Sequence, residues 1–261
     1  MTARDLLLDT WTCPTALVLL LLAALGLHLR RWGLAAPRRT LALLGAATAA
    51  FLALASPIAA LARGTLFSAH MLQHMLLALV VPPLSLLALP RTVGPTVVGA
   101  APRRTSAVVP WAMGVGAMWV WHAPALCNAA ATSDAVRALQ NVSLPVMGAA
   151  FWWPIVGPRL DRRLPDLVAV AYLFTACVAC TILGISIALS PVAVCAAYGH
   201  GLDPLGALPL VRGRWGLTAG VDQQLGGLLM WVPGCTEYAI AILAVVARFY
   251  GAPHGKIQEA S

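Results

Sequence analysis

Long apolar runs dominate the chain, broken at intervals by proline, glycine and arginine. Seven are long enough to supply the ~20 helical residues that cross a hydrocarbon core. They lie near 14–32, 39–62, 66–90, 107–124, 136–156, 166–190 and 219–248. Ala36-Pro37, Pro90, Ala101-Pro102, Gly157-Pro158 and Asp203-Pro204 read as the loops between them. Pro233-Gly234 predicts a kink in the overlong last run. No alternation of apolar and polar positions supports a barrel. The pattern predicts an all-α polytopic membrane protein with seven transmembrane helices forming one domain over 1–261.

The basic residues orient that bundle. Arg30, Arg31, Arg38, Arg39, Arg91, Arg103, Arg104, Arg159, Arg162, Arg163, Arg248 and Lys256 fall on one side, and only Arg4, Arg63, Arg137, Arg212 and Arg214 on the other. Twelve against five puts the N-terminus outside and the C-terminus in the cytoplasm. The first run resembles a signal peptide, but it is too long and its Arg30-Arg31 pair follows the apolar stretch, so a retained helix is expected.

Composition agrees: 60% of residues are hydrophobic and 10% charged, against roughly 25% charged in soluble domains. The net charge of +8 therefore reads as topology, with lipid and not nucleic acid as the surrounding partner. Sixteen of the seventeen basic residues are Arg, which fits a GC-rich bacterial genome and a multi-pass protein of the bacterial plasma membrane.

Polar residues interrupt the apolar pattern at one depth. His70, Gln73 and His74 share a helix stripe, because residues four apart lie on one face and the residue at i+3 sits beside them. With the orientation above, they enter from the outer side. His122 ends the fourth segment on that side, Arg137, Gln140, Asn141 and Ser143 open the fifth, and Asp222, Gln223 and Gln224 open the seventh. Polar groups inside a membrane are costly and usually serve a site, a partner helix or a cavity. A single intramembrane His ordinarily joins helices; an i,i+4 pair with a third at matching depth weighs evenly between that reading and metal or haem ligation. Asp222 is a candidate ligand or a residue that holds an imidazole in one tautomer. Met71, Met75, Met113 and Met118 read as packing.

Cys177 and Cys180 lie mid-membrane, and Cys235 reads as structural. Cys13, Cys127 and Cys195 fall on the oxidising side, where one disulfide is permitted but the spacing does not choose the pair. Glu237 is an acid deep in the seventh segment with no evident partner. Phosphate-binding glycine loops, Gly-x-Ser-x-Gly, His-Glu-x-x-His and Cys-x-x-Cys-His are all missing, and nothing argues for an enzyme.

Four blocks occur in order: His70-Met-Leu-Gln73-His74-Met-Leu-Leu with Val81-Pro-Pro-Leu; Trp121-His122-Ala-Pro124; Phe151-Trp-Trp-Pro154; and Asp222-Gln223-Gln-Leu-Gly226-Gly227 with Met230-Trp231. In these the chain, from about residue 50 onward, resembles the polytopic CtaG family linked to assembly of the caa-type cytochrome c oxidase. The resemblance implies a seven-helix protein that helps to supply or insert copper, with oxidase subunits as partners. It also implies a second His-x-x-x-His pair at the start of the fifth helix, where this chain carries Arg137 and Asn141. Three imidazoles remain, His70, His74 and His122, as the expected copper ligands, with Gln73, Asp222, Gln223, Arg137 and Asn141 around them. Arg137 should oppose a cation unless Asp222 offsets it. A haem-binding electron carrier and a scaffold that has lost the metal are the competing expectations, and a transporter is disfavoured by the lack of an inner-leaflet polar cluster apart from Glu237.

Overall fold

The computed structural model describes residues 2–33, 35–92, 106–200 and 202–251, and those residues are helical apart from loops and one isolated β-bridge between Thr92 and Arg159. Arg103, Arg104, Lys256 and the Ala101-Pro102 break lie outside the described residues. The helices are α1 (Ala3–Asp9), α2 (Thr15–Trp32), α3 (Pro37–Ala55), α4 (Pro57–Leu61), α5 (Phe67–Ala88), α6 (Val108–Trp121), α7 (Pro124–Thr132), α8 (Asp134–Val156), α9 (Asp166–Leu189), α10 (Ala196–His200) and α11 (Ala219–Gly251).

Among the described residues, five stretches are long and apolar enough to cross a membrane: α2, α3 with α4, α5, α9 and α11. The two other predicted crossings fall on α6 and α8. Helix α6 has 14 residues, about 21 Å of rise, which is short of a ~30 Å hydrocarbon core. It stops at Trp121 because Pro124 disfavours helical geometry at Ala123, and the chain restarts as α7. Helix α8 has the length, 23 residues, but Asp134, Arg137, Gln140, Asn141 and Ser143 dilute its apolar character. Pro233 lies within a helix that runs on unbroken to Gly251.

Helix α5 is the hub, packing against α3, α8 and α11. Its middle, Leu76–Val80, widens into a π-turn just after His74. The cause is local: Pro82 has no amide hydrogen for the Ala78 carbonyl, and its ring would clash with that oxygen in a regular α-turn. The freed carbonyl faces Gly148 of α8, where an added Cβ would lie 2.4 Å from the Ala78 oxygen. Only glycine allows the two backbones to approach so closely. On the other side, Gly226 lets α11 close on α5, since a Cβ there would come within 2.5 Å of the Phe67 ring. Both close approaches border the polar stripe of α5.

Helix α2 is different. It touches the bundle at its two ends, through Thr12 N–H to the Ala55 carbonyl (2.8 Å) and through His28 to Thr40 (3.0 Å). Between these points an apolar cavity of about 480 Å³ opens beside Leu21, Leu54 and Val81.

Candidate functional site

Three imidazoles meet inside one end of the bundle. His70 and His74, one turn apart on α5, have ring centroids 4.2 Å apart. His122, at the end of α6, stands edge-on to His74 at 5.3 Å. Their exposures are 3%, 1% and 5%, so no ring reaches solvent or lipid. His70 Nε2 and both ring nitrogens of His74 have no hydrogen-bond partner. Gln140 of α8, fully buried, places its amide next to His74 without reaching hydrogen-bond geometry, and both amide atoms are likewise unpartnered. A buried polar atom without a partner costs on the order of 1–3 kcal/mol. Against a total stability of roughly 5–15 kcal/mol, this group is a liability that folding alone does not explain.

His122 is held differently. Its Nδ1 lies 2.6 Å from the Met118 carbonyl, which can only accept, so Nδ1 carries the proton. Its Nε2 then points at Met71 Sδ, 3.1 Å away.

The surrounding polar residues are structural supports. The Asp222 carboxylate accepts from Phe67 N (2.7 Å), Ser68 N (2.9 Å) and Ser68 Oγ (2.5 Å). It caps the first turn of α5 from α11, where amide groups are unpaired and negative charge is favoured. Asp222 thus orients His70 and His74 through their helix, since all three of these bonds go to α5. Gln73 donates to the Ala53 carbonyl at 2.7 Å and ties α5 to α3. Gln223 accepts from Val194 N and donates toward the Ile187, Ser190 and Val192 carbonyls, closing the end of α9. Arg137 pairs with Asp134 and donates to the Ala130 carbonyl, so Asp134, not Asp222, offsets its charge. Asn141 faces the cavity beside α2, leaving Gln140 as the α8 residue turned toward His74.

A lid of loop structure covers His70. Tyr198 of α10 lies 5.4 Å from the His70 ring and donates its hydroxyl to the Ala62 carbonyl at 2.7 Å. Burial pushes its phenol up, which keeps it a donor. The Cys127–Cys195 disulfide fastens this lid to α7, and Asn128 Oδ1 accepts from Ala197 N at 2.8 Å. Cys13 is free and exposed. Beneath the lid a cavity of about 230 Å³ lies between Phe67, Tyr198, Cys195 and Gln223. Neither Tyr198 nor the orientation of Gln140 had a signal in the spacing of residues, although Cys195 three residues before Tyr198 marked the loop.

The donor chemistry suits a metal in part. Buried imidazole nitrogens without partners stand close together, yet among the described residues no group of three His, Cys, Asp or Glu side chains closes on a common point. The thiols midway along α9 and α11 make a separate contact, with Cys177 Sγ 3.0 Å from Cys235 Sγ.

No curated protein and no solved structure matches the chain. The family model of the cytochrome c oxidase caa3 assembly factor, Caa3_CtaG, matches residues 18–252, a stretch that takes in every helix of the site just described. The chain belongs to the family of caa3-type cytochrome c oxidase assembly factors.

Proposed function

We propose that this protein assists maturation of a cytochrome c oxidase in the bacterial plasma membrane by holding copper, as cargo, at His70, His74 and His122. One observation carries the reading: imidazoles buried side by side, with three ring nitrogens on His70 and His74 left without partners, in a chain of an oxidase assembly family. In this reading α6 and α8 complete seven crossings, the N-terminus is outside and the C-terminus cytoplasmic. The Cys127–Cys195 disulfide supports that orientation, because such a bond persists on the oxidising face, next to the histidines. The role is binding and hand-over, not catalysis. Monovalent copper suits neutral imidazole donors and brings only a single positive charge to the buried site. Asp222 and Gln73 hold α5 in place, and an oxidase subunit receives the metal by contact in or near the membrane.

The haem alternative fits less well, since rings 5.3 Å apart leave no slot for a macrocycle between His74 and His122. A metal-free scaffold is the second reading, favoured by the missing third donor among His, Cys, Asp and Glu. Metal analysis separates them. Protein purified from copper-replete cells should carry copper that the His70→Ala/His74→Ala/His122→Ala variant lacks. Equal copper in both, with oxidase activity intact in cells carrying the variant but lost on deletion, would establish the scaffold.

A further inference from the structure

We propose that Met71 is the missing donor: its thioether and His122 Nε2, joined by an imidazole nitrogen of His74, form a binding site for monovalent copper. The inference rests on the copper reading above, keeps His74 and His122 from its three imidazoles, and names the sulfur ligand that reading leaves open.

The geometry starts at His122. With Nδ1 committed to the Met118 carbonyl, the neutral ring presents a bare lone pair at Nε2. That lone pair faces Met71 Sδ at 3.1 Å, and a thioether sulfur has no hydrogen to give. Two acceptors therefore sit nose to nose in a dry pocket, with Met71 1% and His122 5% exposed. Such a pair is repulsive unless an electrophile lies against both. Met71 cannot easily turn away: its Cγ packs where a Cβ on Gly226 would lie, 3.0 Å off, so α11 closes on the Met71 stem. His74, its ring 5.3 Å from that of His122 and edge-on to it, carries two ring nitrogens without other partners.

The donor set selects the ion. Two imidazoles and a thioether are neutral and include a soft sulfur, which favours Cu(I). A dication would bring twice the uncompensated charge of Cu(I) to a site where Asp134 is already paired with Arg137 and Asp222 is committed to α5. A methionine donor also explains why His, Cys, Asp and Glu alone close no three-membered group here.

The test is X-ray absorption at the copper edge on the full chain in lipid nanodiscs, loaded anaerobically with Cu(I) alone. A nitrogen shell plus a sulfur shell is expected, and the sulfur shell should become a selenium shell in selenomethionine-labelled wild-type protein, which requires no substitution. In Met71→Leu the sulfur shell should vanish. Affinity for Cu(I) should fall at least ~10-fold, since changes to outer partners alone cost ~10–100-fold, while Zn(II) binding should change little. Copper bound through nitrogen only, with no selenium shell in the labelled protein, overturns the Met71 assignment and leaves the histidine reading standing. No copper bound at all overturns both.

Discussion

His28 and His74 are both buried histidines in apolar helices, 3% and 1% exposed, and they illustrate opposite uses of the same residue. Thr40 donates its hydroxyl to the Ala36 carbonyl, so its oxygen accepts from His28 Nε2 at 3.0 Å, and Trp32 covers the His28 ring at 5.2 Å. That imidazole is a satisfied pin between α2 and α3. His74 has no hydrogen bond at either nitrogen, a second imidazole on one side and a third at its edge. Burial does not separate structural from functional histidine; hydrogen-bond satisfaction does. The His28 pin contributes to the fold, whereas the cluster costs the fold stability that, in the proposed reading, copper binding recovers.

The comparison can be broken at its support first. Asp222→Ala leaves the buried Phe67 amide and the half-buried Ser68 amide and hydroxyl of α5 unpaired, and should destabilise the protein by about 3 kcal/mol, with copper lost as α5 loosens. Tryptophan-detected thermal unfolding in detergent measures this, and an unchanged midpoint would mean that α5 is held by packing alone. Cys127→Ser should come next, costing about 2–4 kcal/mol for a loop closed over 68 residues. Reductant should reproduce the loss in wild-type protein and have no added effect in the variant.

The two histidine substitutions sharpen the contrast because their signs differ. His74→Leu removes unpartnered polar atoms, and should leave stability unchanged or raise it by about 1–2 kcal/mol while copper is lost. His28→Leu gives up one satisfied bond and should cost about 1 kcal/mol with copper retained. A destabilised His74→Leu protein that still binds copper would invert the comparison.

Much of this is legible in the sequence. Apolar runs placed the long helices within a few residues, as 66–90 against Phe67–Ala88 and 166–190 against Asp166–Leu189, while five of the seven predicted crossings meet the length and apolarity of a span. The i,i+4 spacing put His70 and His74 on one face, and residue order with charge bias brought His122 to their level. What escaped was rotational phase and long-range closure. At the start of α8, Arg137 and Asn141 drew attention as the places where imidazoles were expected, yet Gln140 is the residue turned to His74. A shift of one residue on a helix is about 100°, and composition alone does not resolve it. Met71 read as packing because a thioether looks the same in a core as beside a lone pair; only the 3.1 Å approach to His122 separates them. Pairing of Cys127 with Cys195, and the seat of Tyr198 on His70, depend on a loop returning across the bundle.

The most direct test of the account is the copper content of three proteins purified side by side from copper-replete cells: wild type, His28→Leu and His74→Leu. The account predicts copper in the first two and its loss from the third, at unchanged or improved thermal stability. Equal copper in all three, or none in the wild type, would contradict it.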